Sequence, residues 1–264
     1  MNIKKFPLVA TGSSKKFFDI RNIFNLDISS PIVIAGPCSV ENQQMLEKSA
    51  KFLSSIGIKF LRAGLYKPRS SPYCFQGLRD QGLEFSKHIS KKYNLITVSE
   101  ITDIRDIKKL SEYIDIFQVG SRNMQNFDLL KELGKSKKPV LLKRGMCASL
   151  EEFILASEYL ALEGNRNILM CERGIKTFEN SVRNMLDISS IALIKKYTKL
   201  PIIADLSHSL GRKDIINEIA KSVIVAGADG IMIETHPQPE KALSDSRQQL
   251  NFDETRKLLN SLNI

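Results

Sequence analysis

The chain has 264 residues, of which 42% are hydrophobic and 26% charged, and its formal net charge is +10 at pH 7. This composition is that of an ordinary globular protein, and the basic excess fits either anionic substrates or mere solubility. No run of five basic residues appears, which argues against a nucleic-acid-binding arm, and no apolar stretch reaches the roughly 18 residues of a membrane span.

Eight short apolar runs recur along the chain. Several are apolar at successive positions, as is typical of parallel strands covered on both faces. The sequence therefore predicts strands over residues 31–35, 58–62, 95–99, 114–119, 139–142, 167–170, 201–204 and 230–233.

Between these runs, apolar residues recur three or four positions apart, which predicts helices. Asp103 and Ser149 are candidate N-caps. Four glycines indicate helix ends: Gly57, Gly134, Gly164 and Gly227. The predicted helices cover residues 42–53, 77–92, 103–110, 126–133, 149–163, 179–196, 213–226 and 253–262.

Eight strand–helix repeats predict a closed (β/α)8 TIM barrel, because such a barrel takes roughly 250 residues. An open doubly wound sheet is the alternative, but no G-x-G-x-x-G follows the first strand. We assign residues 31–264 to the barrel. Residues 1–30 form an N-terminal extension, expected to close the barrel bottom with a hairpin or a short helix.

Basic residues cluster where the predicted strands end, which is the active-site face of this fold. Guanidinium and ammonium groups converging on one mouth repel each other unless anions bind there. The pattern predicts a site for phosphate and carboxylate groups, with these candidates: Arg62, Lys67, Arg69, Arg122, Lys143, Arg144 and Arg173.

A mixed donor set accompanies these cations. Cys38 follows strand 1, His208 lies in the loop after strand 7, and Glu234 and Asp245 follow strand 8. Strands 7, 8 and 1 are neighbours in a closed barrel, so these side chains are expected to meet. A thiolate, an imidazole and two carboxylates suit Zn²⁺, Fe²⁺, Mn²⁺ or Co²⁺ better than Mg²⁺ or Ca²⁺.

The remaining cysteines are not accompanied by other candidate metal ligands, and we expect them to be structural: Cys74, Cys147 and Cys171. No C-x-x-C pair is present, and the N-terminus lacks the apolar region of a signal peptide. We therefore expect a cytoplasmic protein with free thiols or a thiolate metal ligand.

Seven segments together resemble one enzyme family. They read IAGPCSVEN (34–42), LRAGLYKPRSSPYCFQGL (61–78), VGSRNMQNFDLL (119–130), LLKRG (141–145), CERGIKTFE (171–179), DLSHSLGRKD (205–214) and IETHPQPEKALSDSRQQL (233–250). They are similar to 3-deoxy-D-arabino-heptulosonate 7-phosphate (DAHP) synthases of the type I barrel-core branch. The resemblance covers roughly residues 30–260 and implies condensation of phosphoenolpyruvate with erythrose 4-phosphate and water, the first step of the shikimate pathway.

The resemblance also implies roles for single residues. Cys38, His208, Glu234 and Asp245 would hold one divalent metal, and Lys67 would donate a proton, helped by nearby cations that lower its pKa. Catalysis would thus involve Lys67, Cys38, His208 and Asp245. Phosphoenolpyruvate would contact Arg62, Lys67, Arg122, Lys143 and Arg173, and erythrose 4-phosphate would contact Lys67, Pro68, Arg69 and Ser70.

Two alternatives remain open. The related 3-deoxy-D-manno-octulosonate 8-phosphate (KDO8P) synthases use arabinose 5-phosphate, but typically read Lys-Ala-Asn-Arg-Ser-Ser where this chain has KPRSS at 67–71. A barrel that binds sugar phosphates without catalysis would be expected to lack a metal ligand or the donor lysine. The resemblance further implies a homo-oligomer, for example a tetramer, and we expect no nucleic-acid or membrane partner. The family often carries an extra regulatory domain, for which we expect no room in 264 residues.

Overall fold

Eight parallel strands pair in sequence order and close into a barrel. In the computed structural model, which describes residues 1–17, 19–26 and 30–264, β1 pairs with β8 over five positions, from Ile32↔Gly230 to Gly36↔Glu234. The predicted (β/α)8 barrel is thus confirmed. The strands are β1 Ile32–Gly36, β2 Phe60–Arg62, β3 Ile96–Glu100, β4 Ile116–Val119, β5 Val140–Lys143, β6 Ile168–Glu172, β7 Ile202–Asp205 and β8 Gly230–Glu234.

Helices follow the strands around the outside of the barrel. They are α1 Ile20–Ile23, α2 Gln43–Ser55, α3 Leu83–Lys92, α4 Ile107–Leu110, α5 Phe127–Ser136, α6 Leu150–Leu162, α7 Ile188–Tyr197, α8 Leu206–Leu210, α9 Ile216–Val225 and α10 Phe252–Ser261. In the described part of the chain the longest helices have 13 residues, so none could cross a bilayer.

Successive strand residues face the barrel interior and the surrounding helices in turn. Inside, stacked layers of buried side chains fill the barrel, including Ile34, Phe60, Leu141 and Met232. Residues of the opposite parity, such as Val33, pack under the helices. Because both faces are covered, the strands are apolar at successive positions.

Gly36 ends β1 at a point where a side chain cannot fit. Its φ is +144°, and a Cβ there would lie 2.2 Å from the carbonyl oxygen of Arg62. The close approach brings the ends of β1 and β2 together at the mouth of the barrel.

The N-terminal extension contacts the barrel and its helices at several places. Ala10 forms a bridge with Thr198, outside the strands. Ile20 is buried against the interior layer, and the ring of Phe24 meets that of Phe60 edge-on at 6.2 Å. Residues 18 and 27–29 of the predicted extension lie outside the described residues.

Several predicted helix boundaries are confirmed, and others are wrong. Ser149 forms a capping box with Glu152 at the start of α6, as expected of an N-cap. Gly134, however, lies inside α5, which continues to Ser136 and ends with Lys137 in the left-handed conformation. A Cβ on Gly134 would lie 2.6 Å from Cβ of Glu163, so close packing against the end of α6 explains this glycine.

Two further corrections concern the active-site face. The predicted helix 179–196 begins only at Ile188, and the preceding residues form a loop with a bridge between Ile175 and Met185. His208 lies on a short helix, α8, rather than in a loop. Similarly, the predicted helix 77–92 starts with a 3-10 turn before α3.

Candidate active site

The carboxyl ends of the strands surround a cavity of about 340 Å³. Nine of the residues predicted from the sequence line it: Lys67, Pro68, Arg69, Ser70, Arg122, Lys143, Arg173, His208 and Asp245. Cys38, Arg62 and Glu234 do not line the cavity and are almost fully buried. The fold therefore brings the predicted set to one end of the barrel, as the strand order requires.

The four predicted metal ligands lie together. One ligand atom from each of Cys38, His208, Glu234 and Asp245 lies within 4.8 Å of the others. Nε2 of His208 is 3.4 Å from Oε1 of Glu234 and 3.7 Å from Oδ2 of Asp245. Sγ of Cys38 is 3.6 Å from the same Oδ2. Their donor atoms thus surround one small volume.

The imidazole of His208 is oriented by Asp205. Burial opposes ionisation of Asp205, but His208 and Lys143 outweigh it and hold its pKa well below the usual range. The carboxylate therefore accepts a hydrogen bond from Nδ1 of His208 at 2.9 Å, which leaves the lone pair of Nε2 directed at the cluster. Burial lowers the pKa of His208, so the ring stays neutral, as a metal ligand must be.

The acidic members of the cluster need a cation. Burial and the nearby Glu234 raise the pKa of Cys38 to about 11, although Lys67 and Arg62 oppose this. Arg62 contacts Oε1 of Glu234 at 2.5 Å, and Gln248 donates to Oε2 at 2.6 Å. The Cys38 thiol therefore ionises only beside a further positive charge, which a divalent transition metal would supply. The donor set fits such an ion.

The cavity wall carries more cationic side chains than acidic side chains to pair with them. Lys143 pairs with the buried Asp205, and Arg122 reaches across to Oγ of Ser70 at 3.4 Å. Nη1 of Arg173 is buried and has no hydrogen-bond partner among the described residues. An anion in the cavity would satisfy these donors, which is the chemistry expected of phosphate and carboxylate groups.

Lys67 differs from the prediction in its ionisation. Burial and Arg62 lower the pKa of Lys67, but its acidic neighbours Cys38, Glu100 and Glu234 outweigh them. Arg62 thus acts in the predicted direction, but the pKa of Lys67 is raised overall, and the prediction of a lowered pKa is wrong. The side chain therefore carries its proton at neutral pH.

Arg144 does not belong to the cavity. Its guanidinium contacts Glu172 at 2.8 Å and Asp187 at 2.9 Å, and it also donates to the carbonyl of Ala148 at 3.0 Å. These partners use the group fully outside the cavity lining, so the expectation that Arg144 serves the anion site is wrong.

The other cysteines divide into two kinds. Cys171 is buried among the interior side chains of the barrel, as expected of a structural residue. Cys74 and Cys147 are exposed, and Cys74 lines the cavity, so a structural role for these two is wrong.

Several polar residues of the site were not predicted from the sequence. Arg183 donates to Oδ2 of Asp245 at 3.2 Å and to Oε1 of Gln248 at 2.8 Å. Arg183 was hidden inside the predicted helix 179–196, which the structure shows to be a loop there. Gln248 lies within a motif that resembles the family, but its type alone carries no signal for chemistry. Glu100, Gln118 and Met146 also line the cavity.

Comparison with known proteins shows similarity over most of the chain. The DAHP synthetase I family matches residues 20–263. A phospho-2-dehydro-3-deoxyheptonate aldolase of Thermotoga maritima is 50% identical, over 87% of this chain and 68% of that protein. A 2-dehydro-3-deoxyphosphooctonate aldolase of Francisella tularensis subsp. holarctica is 27% identical, over 87% of this chain and 89% of that protein.

Solved structures give the same result. The crystal structure of the Thermotoga maritima enzyme, also named DAHP synthase, superposes with a TM-score of 0.91 at 45% identity. It covers 98% of this chain, which in turn covers 76% of that chain. A truncated form of the same enzyme superposes with a TM-score of 0.89 at 44% identity, with shares of 98% and 96%.

Proposed function

Because the chain belongs to the DAHP synthetase I family, we propose that the mouth of its barrel is the active site of a DAHP synthase. This transferase condenses phosphoenolpyruvate with erythrose 4-phosphate and water, releasing DAHP and inorganic phosphate, at the start of the shikimate pathway. One observation carries the assignment of the site: four metal-ligand atoms lie within 4.8 Å of one another beside a cavity lined by cations.

Cys38, His208, Glu234 and Asp245 would hold one divalent ion, which is Mn²⁺, Fe²⁺, Zn²⁺ or Co²⁺. When bound, the metal supplies Lewis-acid polarisation of the aldehyde oxygen of the sugar phosphate. Arg62 fixes the Glu234 carboxylate from below, and Asp205 fixes the imidazole of His208. The ligands are thus held in place before any substrate enters.

Phosphoenolpyruvate would be held by the cations of the inner wall. Lys67, Arg122, Lys143 and Arg173 line the cavity, and the buried Arg62 pairs with Glu234. The unpartnered Nη1 of Arg173 supports this role, since a phosphate or carboxylate oxygen would satisfy it. Clamping both anionic groups orients the enol carbon toward the aldehyde.

Erythrose 4-phosphate would lie at the β2 side of the mouth, against Lys67, Pro68, Arg69 and Ser70. Arg69 and Ser70 would hold its phosphate. Nη2 of Arg122 lies 3.4 Å from Oγ of Ser70, so the two anion sites are adjacent. Pro68 stiffens this segment of the wall, because its ring fixes φ.

Lys67 would supply the proton that the reaction needs. Attack of the enol carbon leaves an alkoxide on the former aldehyde carbon, and the charged Nζ of Lys67 can donate to that oxygen. The raised pKa of Lys67 means that the proton is present at neutral pH. The carbon that bears the phosphate becomes cationic, takes up water, and then loses inorganic phosphate.

The remaining proposals concern the N-terminal extension, the assembly of the protein and its location. We propose that the extension 1–30 closes the barrel bottom, supported by the burial of Ile20 and the contact of Phe24 with Phe60. The family resemblance supports a cytoplasmic homo-oligomer, for example a tetramer, with phosphoenolpyruvate and erythrose 4-phosphate as its partners and neither nucleic acid nor membrane.

Phosphate release from phosphoenolpyruvate tests the proposal. We expect release with erythrose 4-phosphate, loss of release after chelation, and its return with Mn²⁺. With arabinose 5-phosphate the rate should be far lower, in keeping with the 27% identity to the octulosonate enzyme. Equal rates with the two sugars would reject the substrate assignment, and no release with either would favour a binding protein.

A further inference from the structure

A buried glutamine joins the two loops that carry metal ligands from opposite ends of the sequence. Gln249 is fully buried. Its Oε1 accepts a hydrogen bond from the backbone N–H of Cys38 at 3.1 Å, and its Nε2 donates to the carbonyl of Ser244 at 2.8 Å. One end of the amide therefore holds a ligand residue itself, and the other end holds the residue next to Asp245.

Two further contacts join the same loops. Oγ of Ser39 and Oγ of Ser244 lie 2.7 Å apart, and both residues are buried. Glu41 accepts a hydrogen bond from the backbone N–H of Leu243 at 2.8 Å. The turn after β1 is thus attached to the loop after β8 immediately beside both ligands.

The Asp245 loop needs such an attachment. Asp245 has φ +47°, in the left-handed region that L-residues enter only at a cost. Its carboxylate also contacts Arg183 at 3.2 Å, and Arg69 lies 3.7 Å away. Without a fixed backbone, these arginines would compete with the metal for the Asp245 carboxylate.

We propose that Gln249 is a positioning residue that sets the separation of the Cys38 thiol and the Asp245 carboxylate for the divalent metal. The inference rests on the proposed function only in that these residues bind a metal. Gln249 touches neither metal nor substrate, and its effect passes through the backbone of Cys38 and Ser244. Residues that orient metal ligands in this way typically control metal affinity by 10–100-fold.

Gln249→Met removes both hydrogen bonds while keeping the length of the side chain. The matched control is Asn165→Leu, because Asn165 is an equally buried amide at the opposite end of the barrel, donating to the carbonyl of Lys138 at 2.9 Å. Each full-length protein is stripped with chelator and titrated with Co²⁺. The dissociation constant, the thiolate-to-Co²⁺ absorption band and the thermal midpoint of the metal-free protein are measured.

We expect Gln249→Met to weaken Co²⁺ binding roughly 10–100-fold and to shift the absorption band. Asn165→Leu should lower the thermal midpoint of the metal-free protein but leave the band and the affinity unchanged within about twofold, since the contacts it loses lie far from the ligands. Wild-type affinity and an unshifted band in Gln249→Met would overturn the inference.

Gln249→Asn keeps the test decisive if Gln249→Met does not fold. It retains a buried amide, but its shorter side chain cannot hold both the N–H of Cys38 and the carbonyl of Ser244, so Co²⁺ binding should weaken several-fold, whereas unchanged binding would overturn the inference. If the wild-type protein shows no thiolate-to-Co²⁺ absorption band that depends on Cys38, both the inference about Gln249 and the metal site are rejected. A protein that gives the band but condenses neither sugar rejects the proposed reaction alone.

Discussion

Asp205 contacts His208 at two points. Its Oδ1 accepts a hydrogen bond from the backbone N–H of His208 at 3.0 Å, and its Oδ2 accepts from Nδ1 of the ring at 2.9 Å. The same residue therefore starts α8 as its N-cap and selects the tautomer of the imidazole on it. Local helix formation and ligand orientation depend on one carboxylate.

Asp205→Asn should weaken Co²⁺ binding roughly 10–100-fold, because a neutral amide no longer selects the tautomer that leaves Nε2 bare. Titration of the metal-free protein measures the loss. Asp229→Asn is the control, since Asp229 accepts from the backbone N–H of Ile202 at 2.8 Å at the other end of β7. Equal Co²⁺ affinity in Asp205→Asn and wild type would contradict the role of Asp205.

Cys38→Ser should abolish the thiolate-to-Co²⁺ absorption band and weaken binding by at least about 100-fold, because a hydroxyl is a poor ligand for this ion. Cys74→Ser should leave both unchanged, although Cys74 lines the same cavity. Absorption spectra of the two Co²⁺-loaded variants give the answer. A band that survives in Cys38→Ser would show that Cys38 is not a ligand.

Lys67→Met should lower turnover by about 10²–10⁴-fold, the usual contribution of a general acid. Co²⁺ affinity should stay within a few-fold of wild type, because Lys67 is not among the ligands. The phosphate-release rate at saturating substrate and the Co²⁺ titration are compared in the same preparation. Near-normal turnover would remove Lys67 from the role of proton donor.

Replacement of Arg144 should reduce stability, whereas replacement of Arg122 should weaken substrate binding. Arg144→Met leaves Glu172 buried without its partner and should lower the free energy of unfolding by about 3–5 kcal/mol. Arg122→Met, at an exposed position, should change that free energy by less than about 0.5 kcal/mol but raise the KM for phosphoenolpyruvate roughly tenfold or more. Urea unfolding and steady-state kinetics separate the two effects. A stable Arg144→Met protein with a raised KM would restore Arg144 to the site.

Two glutamates of α6 should give pH dependences of opposite sign. Burial raises the pKa of Glu158 above its ordinary value of 4.5, although it accepts from the backbone N–H groups of Leu8 and Val9. The folded protein therefore keeps this proton longer than the unfolded chain, and the associated stability is lost as pH rises from 4.5 through the folded pKa. The Glu158→Gln protein should not lose this stability as pH rises, because glutamine does not ionise.

Hydrogen bonds from Ser149 lower the pKa of Glu152 below 4.5, so its stabilisation is present above pH 4.5 and is lost as pH falls through the folded pKa. From pH 4 to pH 7, the thermal midpoint of Glu158→Gln should rise relative to wild type, and that of Glu152→Gln should fall. Parallel trends in the two variants would contradict the assignment.

The barrel could be predicted because its strands are buried on both faces and therefore read as continuous apolar runs. The helix ends were less predictable where tertiary contacts decide them. Gly134 has the residue type of a helix end, yet it serves the contact with Glu163. No local signal distinguishes these two uses of glycine.

The site was predictable as far as strand order brings residues together. The sequence placed Cys38 beside Asp245, because strands 1 and 8 are neighbours in a closed barrel. It could not show that Arg144 turns toward Glu172, or that Arg183 reaches Asp245 from a loop. Which cation meets which acid depends on side-chain directions that only the packed structure defines.

The pairing of β1 with β8 has a consequence for the order of folding. Cys38 and Asp245 are 207 positions apart in the chain, and they meet only when the first strand lies against the last. An ion bound by both would act as a cross-link that closes almost the whole chain into one loop, favouring the closed ring over every opened form. A growing chain would thus capture its metal only after the last strand has been synthesised and has taken its place in the barrel.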